Sequence, residues 1–206
     1  NKKSIKTGNK LANPGCFATA IQLGLLPAAN SNIIKGDIHV SGITGSTGAG
    51  QSLTPTSHFS WRNNNISVYK AFVHQHLQEI GESLTQTSDG TNYKLNFIPY
   101  RGNFTRGIIT TSYFNTDTSL VEVKTIYEKY YQEAVYTHVT DRKHDLKQVV
   151  NSNKALVYLE KHDDQLMIIS MIDNLLKGAS GQAVQNMNLM FGLEENTGLK
   201  LKSTAF

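Results

Sequence analysis

Three strand-like stretches, VYTHVT (residues 135–140), ALVYL (155–159) and LMIISMI (166–172), follow one another with no helical pattern between them. Their Val, Ile and Tyr content and their lengths are typical of β-strands. Elsewhere in the chain, strands and helices are interleaved irregularly. A steady alternation of strand and helix would indicate a doubly wound parallel sheet, so this order predicts an α+β fold instead.

The same patterns predict the remaining elements. Further strands are expected at residues 37–40, 93–97 and 107–114, and helices at residues 17–29, 74–84, 121–134 and about 174–192. Pro27 is expected to end the first helix or to lie in its frayed last turn, whereas Ser119 and Asp173 are plausible N-caps of later helices. At least six strands predict a single domain with a mixed, largely antiparallel sheet covered by helices.

Length, charge and cysteine content exclude several classes of protein. The 206 residues suit one domain or a large piece of a two-domain protein, and the absence of an initiator Met favours the piece. The net charge of the chain, +4, is small, its lysines are scattered along the sequence, and it has only four arginines. A nucleic-acid-binding protein would usually cluster its basic residues, so this composition argues against that class. No apolar run reaches the roughly 18 residues of a membrane span. A single cysteine fits a reducing compartment, so we expect a cytoplasmic protein.

Cys16 is the first candidate for chemistry. It follows Asn13-Pro14-Gly15 and opens a predicted helix, where backbone N–H groups and the helix dipole favour a thiolate. The alternative is a buried cysteine that acts as a small apolar residue. The sequence leaves these two interpretations about equally supported.

The segment His74-x-His76-x-x-Glu79 is the second candidate. On a helix, His76 and Glu79 share a face, so the carboxylate can orient the imidazole as a general base. His74 and His76 could instead chelate a metal, but no further ligand follows at a recognised zinc spacing, and no metal is expected. A polar helix start without function is the remaining alternative.

Three other segments suggest ligand contacts. The small-residue stretch at residues 41–50 would let the backbone approach a phosphate, although a flexible surface loop is the simpler explanation. Arg106, before a strand, suits a carboxylate or phosphate, or is an ordinary surface charge. The small residues at 173–183 permit close approach of a ligand or tight helix packing.

Taken together, these segments resemble the N-acetyl-gamma-glutamyl-phosphate reductase family of arginine biosynthesis. The similar segments lie at residues 13–19 (NPGCFAT), 40–50, 74–80 (HQHLQEI), 106–108 and 177–188 (KGASGQAVQNMN), in the order of that family. The resemblance implies a catalytic and dimerisation domain like those of glyceraldehyde-3-phosphate and aspartate-semialdehyde dehydrogenases. It also implies that an N-terminal Rossmann domain is missing here and that residues 174–192 pack on it, leaving their apolar stripe only partly covered.

The resemblance further implies the roles of individual residues. Cys16 would attack a small-molecule acyl phosphate and form a thioester. His76 would be the acid/base, with His74 as the second choice, and Glu79 would orient the histidine. Arg106 would bind substrate in the same cleft. The remaining expected contacts are Asn13 and Arg101 for the substrate, and Ser41, Gly42, Gly45, Gly48, Asn174 and Gly178 for the cofactor.

NADPH would be held mostly by the missing domain, so residues 1–206 alone are expected to show no turnover. The resemblance also implies a homo-oligomer, a dimer with facing sheets or a tetramer. Gln78 stands where the family is expected to have proline. Arg101 adds a cation that would suit the extra carboxylate of an N-succinyl substrate. Two other functions stay open: a cofactor-independent thiol hydrolase or acyltransferase, and a non-catalytic dimerisation module.

Overall fold

A computed structural model describes residues 1–204 and arranges them around one sheet of seven strands. The strands are β1 Lys35–Thr44, β2 Ser67–Val68, β3 Leu95–Arg101, β4 Ile108–Asn115, β5 Thr137–Thr140, β6 Ala155–His162 and β7 Gln165–Ile172. The helices are α1 Lys2–Thr7, α2 Cys16–Asn30, α3 Phe59–Arg62, α4 His76–Thr87, α5 Leu120–Tyr131 and α6 Gly181–Met190. Single turns of 3-10 helix lie at Ser46–Ala49, Pro55–Ser57 and Leu146–Gln148, and a π-helical turn lies at Leu176–Ser180.

The strand order is β2-β3-β1-β4-β7-β6-β5. The neighbours β1–β3 and β5–β6 run parallel. The other four pairs, β2–β3, β1–β4, β4–β7 and β6–β7, run antiparallel. The predicted α+β fold with a mixed, largely antiparallel sheet is therefore confirmed.

One face of the sheet carries the main core. Helices α2, α4 and α5 pack there, and α2 contributes fully buried residues such as Ile21 and Leu25. Ile38, Phe97 and Ile168 meet them from β1, β3 and β7. Full burial of each such side chain contributes about 1.5–3 kcal/mol, so this helix-covered face provides most of the stabilising apolar contact.

The opposite face of the sheet is less covered. Val149, Leu156 and Met171 form a small second cluster there, beside the Leu146–Gln148 turn. Farther along the sheet, His39 stacks on Tyr113, which is 39% exposed. Because side chains alternate between the two faces of a strand, this face carries the residues that do not reach the main core.

Pro27 lies in the last turn of the first helix, which is one of its two predicted positions. Helix α2 continues to Asn30, and Pro27 is buried within it. A proline lacks the N–H that would bond the carbonyl four residues earlier, here that of Leu23. The hydroxyl of Tyr131 donates to this carbonyl at 2.6 Å. A hydrogen bond from α5 thus satisfies the group that proline leaves free.

Strand β1 is longer than predicted and ends at Thr44. The prediction of a loop at residues 41–50 is therefore wrong for residues 41–44. Residues 41–44 pair with 98–101 of β3 on one side and with 108–111 of β4 on the other. Pairing on both sides satisfies the backbone of this small-residue segment, which local sequence does not reveal. The second half forms the 3-10 turn Ser46–Ala49.

The last helical segment starts as predicted but in an unusual form. The Asp173 carboxylate accepts hydrogen bonds from Leu175 N–H (2.8 Å) and Leu176 N–H (2.9 Å), which confirms the N-cap. A π-helical turn follows before regular α6. Along the predicted apolar stripe, Ala179 and Met187 are exposed and the other members are half-buried, so the stripe is partly covered, as expected.

Candidate active site

Cys16 is the first residue of α2, as predicted. Gly15 is its N-cap, and the Gly15 carbonyl accepts from Thr19 N–H at 2.8 Å and from the Thr19 hydroxyl at 3.1 Å. These bonds fix the backbone just before the cysteine. The thiol is therefore presented at a helix N-terminus on a constrained turn, which is a common setting for a reactive cysteine.

The electrostatics of the thiol differ from the prediction. Burial raises the pKa of Cys16 above its ordinary value, and the negative charge of Glu79 raises it further. Backbone N–H groups of Phe17 and Cys16, and then the Arg101 charge, act in the lowering direction. Desolvation outweighs the helix N-terminus here, so the thiol is protonated at neutral pH in this state.

His76 begins α4 and packs against the cysteine turn. A Cβ added to Gly15 would lie 2.1 Å from His76 Nε2, so only glycine permits this approach of the imidazole. Burial lowers the pKa of His76, an effect that the Glu79 charge opposes. At neutral pH the ring is neutral and is competent to accept a proton.

Glu79 contacts the cysteine turn more closely than it contacts the histidine. Its two carboxylate oxygens accept the Gly15 N–H at 3.2 and 3.3 Å, whereas Oε1 lies 3.9 Å from His76 Nε2. A distance of 3.9 Å is too long for a hydrogen bond. The carboxylate therefore links α4 to the residue before the nucleophile, rather than holding the imidazole directly as expected.

His74 lies behind His76 in an aromatic environment. Its Nδ1 accepts the His76 N–H at 3.2 Å, and its ring meets Phe17 and Phe97 edge-on at centroid distances of 5.7 and 5.5 Å. Burial first, and then nearby positive charge, lower the pKa of His74 to about 4. His74 is thus a neutral ring that supports the backbone of His76, whereas the His76 ring is the one that packs on Gly15, the residue before Cys16.

These residues line an open cleft of about 940 Å³. Eight of the predicted site residues line it: Asn13, Cys16, Gly48, His74, His76, Arg101, Asn174 and Gly178. Glu79 joins the site through Gly15. The Asn13 side chain accepts a hydrogen bond from Asn186 of α6 at 2.6 Å. The remaining predicted residues, Arg106, Ser41, Gly42 and Gly45, lie outside the lining.

Arg106 does not line the cleft with Cys16, contrary to the prediction. Its guanidinium forms an ion pair with the fully buried Asp173, at 2.9 and 3.1 Å to the two carboxylate oxygens. Asp173 also accepts the Asn151 N–H at 2.7 Å. A buried carboxylate needs such a partner, and Arg106 provides it at the start of the last helical segment.

Three predicted cofactor residues also lie elsewhere. Ser41 is exposed on the less covered face of the sheet, because it alternates in β1 with buried neighbours. Gly42 is buried beneath the rings of Phe17 and Phe97. The Gly45 N–H donates to the Gly107 carbonyl at 2.9 Å, which joins two backbone segments behind the cleft wall.

Asn174 and Gly178 reach the cleft from the π-helical turn. Asn174 accepts the Gly107 N–H at 2.7 Å and donates to the Thr47 hydroxyl at 3.0 Å, so its amide ties two cleft walls together. A Cβ on Gly178 would lie 2.8 Å from the Cys16 Cβ. Glycine is required at this position because the π-helical turn packs directly on Cys16. Turns of this kind often occur at functional sites.

Several cleft residues carry no motif that would reveal them in the sequence. Tyr69 and Lys70 line the cleft, and Arg101 lies over the Tyr69 ring at 4.6 Å from its centroid. Threonines also line the cleft, at positions 44, 47, 54 and 56. Only the closeness of Tyr69 and Lys70 to His74 in sequence hints at their place in the site.

Residues 1–204 contain neither a cluster of metal-binding side chains nor a membrane-spanning helix. Within this range, no three His, Cys, Asp or Glu side chains lie close enough together to hold a metal ion. None of the helices described is both long and apolar enough to cross a membrane.

The Asp173–Arg106 pair leads to a stability prediction. We expect Asp173→Asn to lower the free energy of unfolding by about 2–4 kcal/mol, since it leaves the guanidinium without its buried partner. The lower part of that range allows for the 29% exposure of the Arg106 side chain. Equilibrium unfolding in urea measures the change. Asp37→Asn, which removes the exposed ion pair with Lys94, should change stability little, and equal losses in both variants would contradict the prediction.

Comparison with known proteins agrees with this fold. A family model described as "Semialdehyde dehydrogenase, dimerisation domain" matches residues 16–174. Proteins named N-acetyl-gamma-glutamyl-phosphate reductase from Parabacteroides distasonis and Bacteroides thetaiotaomicron are 59% and 58% identical over all 206 residues. The chain spans 64% of the length of each of these relatives.

A solved structure, the aspartate semialdehyde dehydrogenase II of Vibrio cholerae, has the same fold. It matches with a TM-score of 0.70 and 15% identity, over 93% of this chain and 66% of that one. At this low identity the likeness shows the fold alone.

Proposed function

The chain belongs to the family of semialdehyde dehydrogenase dimerisation domains, and from this premise we propose that it is the catalytic part of a reductase. The proposed reaction is NADPH-dependent reduction of N-acetyl-gamma-glutamyl phosphate to N-acetylglutamate semialdehyde, with release of phosphate, in arginine biosynthesis. The relatives that match the whole chain carry the name of this reductase. The observation that carries the proposal is the cleft in which Cys16 opens a helix beside His76.

In the first half of the reaction, Cys16 is the nucleophile. As Sγ attacks the acyl carbon, the neutral His76 takes the thiol proton. The bond between that carbon and the phosphate oxygen breaks, phosphate leaves, and a thioester on Cys16 remains. A buried neutral thiol with a neutral imidazole suits this order, because neither group needs to be charged before substrate arrives.

The second half of the reaction needs a hydride, which the nicotinamide of NADPH supplies when it is bound. Gly48, Asn174 and Gly178 line the same cleft as Cys16 and are the residues that would contact the nicotinamide. Most of the cofactor would be held by an N-terminal domain. After reduction, the C–S bond breaks to give the aldehyde, and protonated His76 returns its proton to the Cys16 thiolate.

Two exposed surfaces support a proposal for the assembly of the enzyme. Met187 is 45% exposed on α6, and the partly covered stripe would pack on the nucleotide-binding domain. The less covered face of the sheet would meet the same face of a second copy to form a homodimer, or part of a tetramer. The family description "dimerisation domain" supports this second proposal.

An N-succinyl substrate is a second candidate, favoured by the position of Arg101. The guanidinium lines the cleft, and its buried Nε has no hydrogen-bond partner among residues 1–204. A succinyl group carries one more carboxylate than an acetyl group, and an arginine fork suits it.

Arg101→Ala distinguishes the two acyl groups. In the full-length enzyme we expect this change to weaken kcat/KM for the N-succinyl substrate more than for the N-acetyl one. Loss of a charge-assisted hydrogen bond corresponds to roughly 1.5–3 kcal/mol. Steady-state kinetics on both substrates measures the difference, and equal losses would remove the succinyl alternative.

Cofactor dependence tests the proposed function against its competitors. The full-length protein should form semialdehyde and oxidise NADPH in equal amounts, and product formation should stop when NADPH is omitted. Cofactor-free hydrolysis of an acyl substrate would favour the thiol hydrolase. An inert thiol and no turnover would favour a non-catalytic dimerisation module.

A further inference from the structure

Lys70 lines a cleft that has an excess of positive charge. Among the residues that line the cleft, Lys70 and Arg101 are the two with permanent positive charge, and the lining contains no Asp or Glu. Lys70 Nζ donates to the neutral side-chain oxygen of Gln75 at 3.0 Å, and no carboxylate within residues 1–204 forms an ion pair with it. Its charge therefore remains available to an anion in the cleft.

The backbone at Lys70 supports the same interpretation. Seven non-glycine residues of the described chain have positive φ, and five of them are Asn or Asp, which adopt this conformation most readily. The other two are Lys70 (φ 46°) and Phe72 (φ 63°). Backbone strain of this kind is concentrated at ligand-binding segments.

The strained segment is anchored at both ends. Tyr69 N–H donates to the Pro99 carbonyl at 3.1 Å, and Phe72 N–H donates to the Phe97 carbonyl at 2.9 Å. Lys70 lies between these two bonds to β3, so the chain bulges at this residue. A left-handed backbone conformation favours glycine, but this position has a lysine, whose charged side chain lines the cleft.

We propose that Lys70 is an anion-binding residue of the cleft, which acts with Arg101 to hold anionic oxygens of the substrate. This inference rests on the proposed function, since an acyl phosphate of an N-acylated amino acid carries a phosphoryl group and a carboxylate. Two anionic groups match the two unpaired cations. The ligand chemistry is thus a phosphoryl or carboxylate oxygen, and the two sources are separable by experiment.

Protection of Cys16 from alkylation tests the proposal without requiring turnover. The full-length protein is alkylated with iodoacetamide, a neutral reagent that the cleft cations do not attract. Inorganic phosphate is added in one arm and N-acetylglutamate in the other. The concentration that halves the alkylation rate is measured for each anion.

Two variants of Lys70 remove the cation in different ways. Lys70→Gln keeps most of the side chain, whereas Lys70→Gly also relieves the left-handed backbone, so strain alone would not make it misfold. Lys70→Arg keeps the charge and should restore binding. Lys129→Gln is the matched control, because it makes the same charge change on an exposed residue of α5 outside the cleft lining.

We expect Lys70→Gln and Lys70→Gly to need about 10- to 100-fold more of one anion for the same protection, in line with loss of a hydrogen bond to a charged group. Lys129→Gln should behave as wild type. Weakening confined to phosphate assigns the phosphoryl group to Lys70, and weakening confined to N-acetylglutamate assigns the carboxylate.

Unchanged protection in both Lys70 variants, or equal weakening in Lys129→Gln, would overturn the proposal. That result is separate from failure of the reductase assignment, which would appear as absence of NADPH oxidation in the wild-type enzyme. KM and kcat provide a second readout. An anion-binding role predicts a raised KM that Lys70→Arg rescues, whereas a purely structural role predicts lower thermal stability without that pattern.

Discussion

Cys16→Ser in the full-length enzyme should lower kcat by about 10⁴-fold or more. Removal of the nucleophile from a covalent mechanism has a very large effect on rate, because the proposed acyl intermediate forms on this side chain. A serine hydroxyl fits the same space at the start of α2 but is a far weaker acid and nucleophile. Steady-state NADPH oxidation with the acyl phosphate measures the loss.

The Cys16→Ser protein provides its own control for folding. The side chain is nearly isosteric and half-buried, so the unfolding transition should stay close to that of wild type. If Cys16→Ser failed to fold, its loss of activity would not report on the thiol. The same measurement would then be made on Cys16→Ala. Near wild-type turnover in either folded variant would contradict the proposed role of the thiol.

His76→Asn should lower kcat by about 10²–10⁴-fold, the usual contribution of a general acid/base. The imidazole packs on Gly15, next to Cys16, and in the proposed mechanism it takes the thiol proton in the first step. His74→Asn is the comparison. His74 supports the His76 backbone through a hydrogen bond at 3.2 Å, so its loss should reduce kcat less. A larger loss for His74→Asn would exchange the two roles.

The pH profile gives an independent test of the histidine assignment. The base must be neutral, and burial lowers the pKa of His76 from its ordinary value near 6.5. As pH falls, kcat/KM should therefore stay level until below 6.5 and then decrease as the ring is protonated. The decrease should be absent from the residual activity of His76→Asn. An acid limb centred above 6.5 would contradict the assignment.

Local sequence predicted the features of the site that depend on local chemistry. The Pro14-Gly15 turn before a run with helical spacing placed Cys16 at the first residue of α2. The spacing of His76 and Glu79 placed both on the first turn of α4. Three successive strand patterns led to the largely antiparallel sheet. For the two helix starts, the determining pattern lies within a few residues of the site residue.

The incorrect predictions concern contacts between residues that are distant in sequence. Arg106 pairs with Asp173, 67 residues away, and no local pattern shows which arginine has a buried acid as its partner. Residues 41–44 look like a loop, but pairing with β3 and β4 makes them a strand. Local sequence also left open whether Pro27 ends α2 or lies in its last turn, because the Tyr131 hydroxyl that donates to the free carbonyl of Leu23 is distant in sequence. The raised thiol pKa likewise comes from burial, which the helix position alone did not indicate.

Direct detection of the acyl-enzyme tests the central claim, that Cys16 carries the acyl group. Full-length enzyme is mixed with the acyl phosphate in the absence of NADPH, quenched in acid and digested, and the peptide that contains Cys16 is weighed by mass spectrometry. We predict a mass increase equal to the acyl group on Cys16, one phosphate released for each modified thiol, and loss of the adduct when NADPH is added before quenching. Release of phosphate with an unmodified Cys16 peptide, or an acyl group on another residue, would contradict the account.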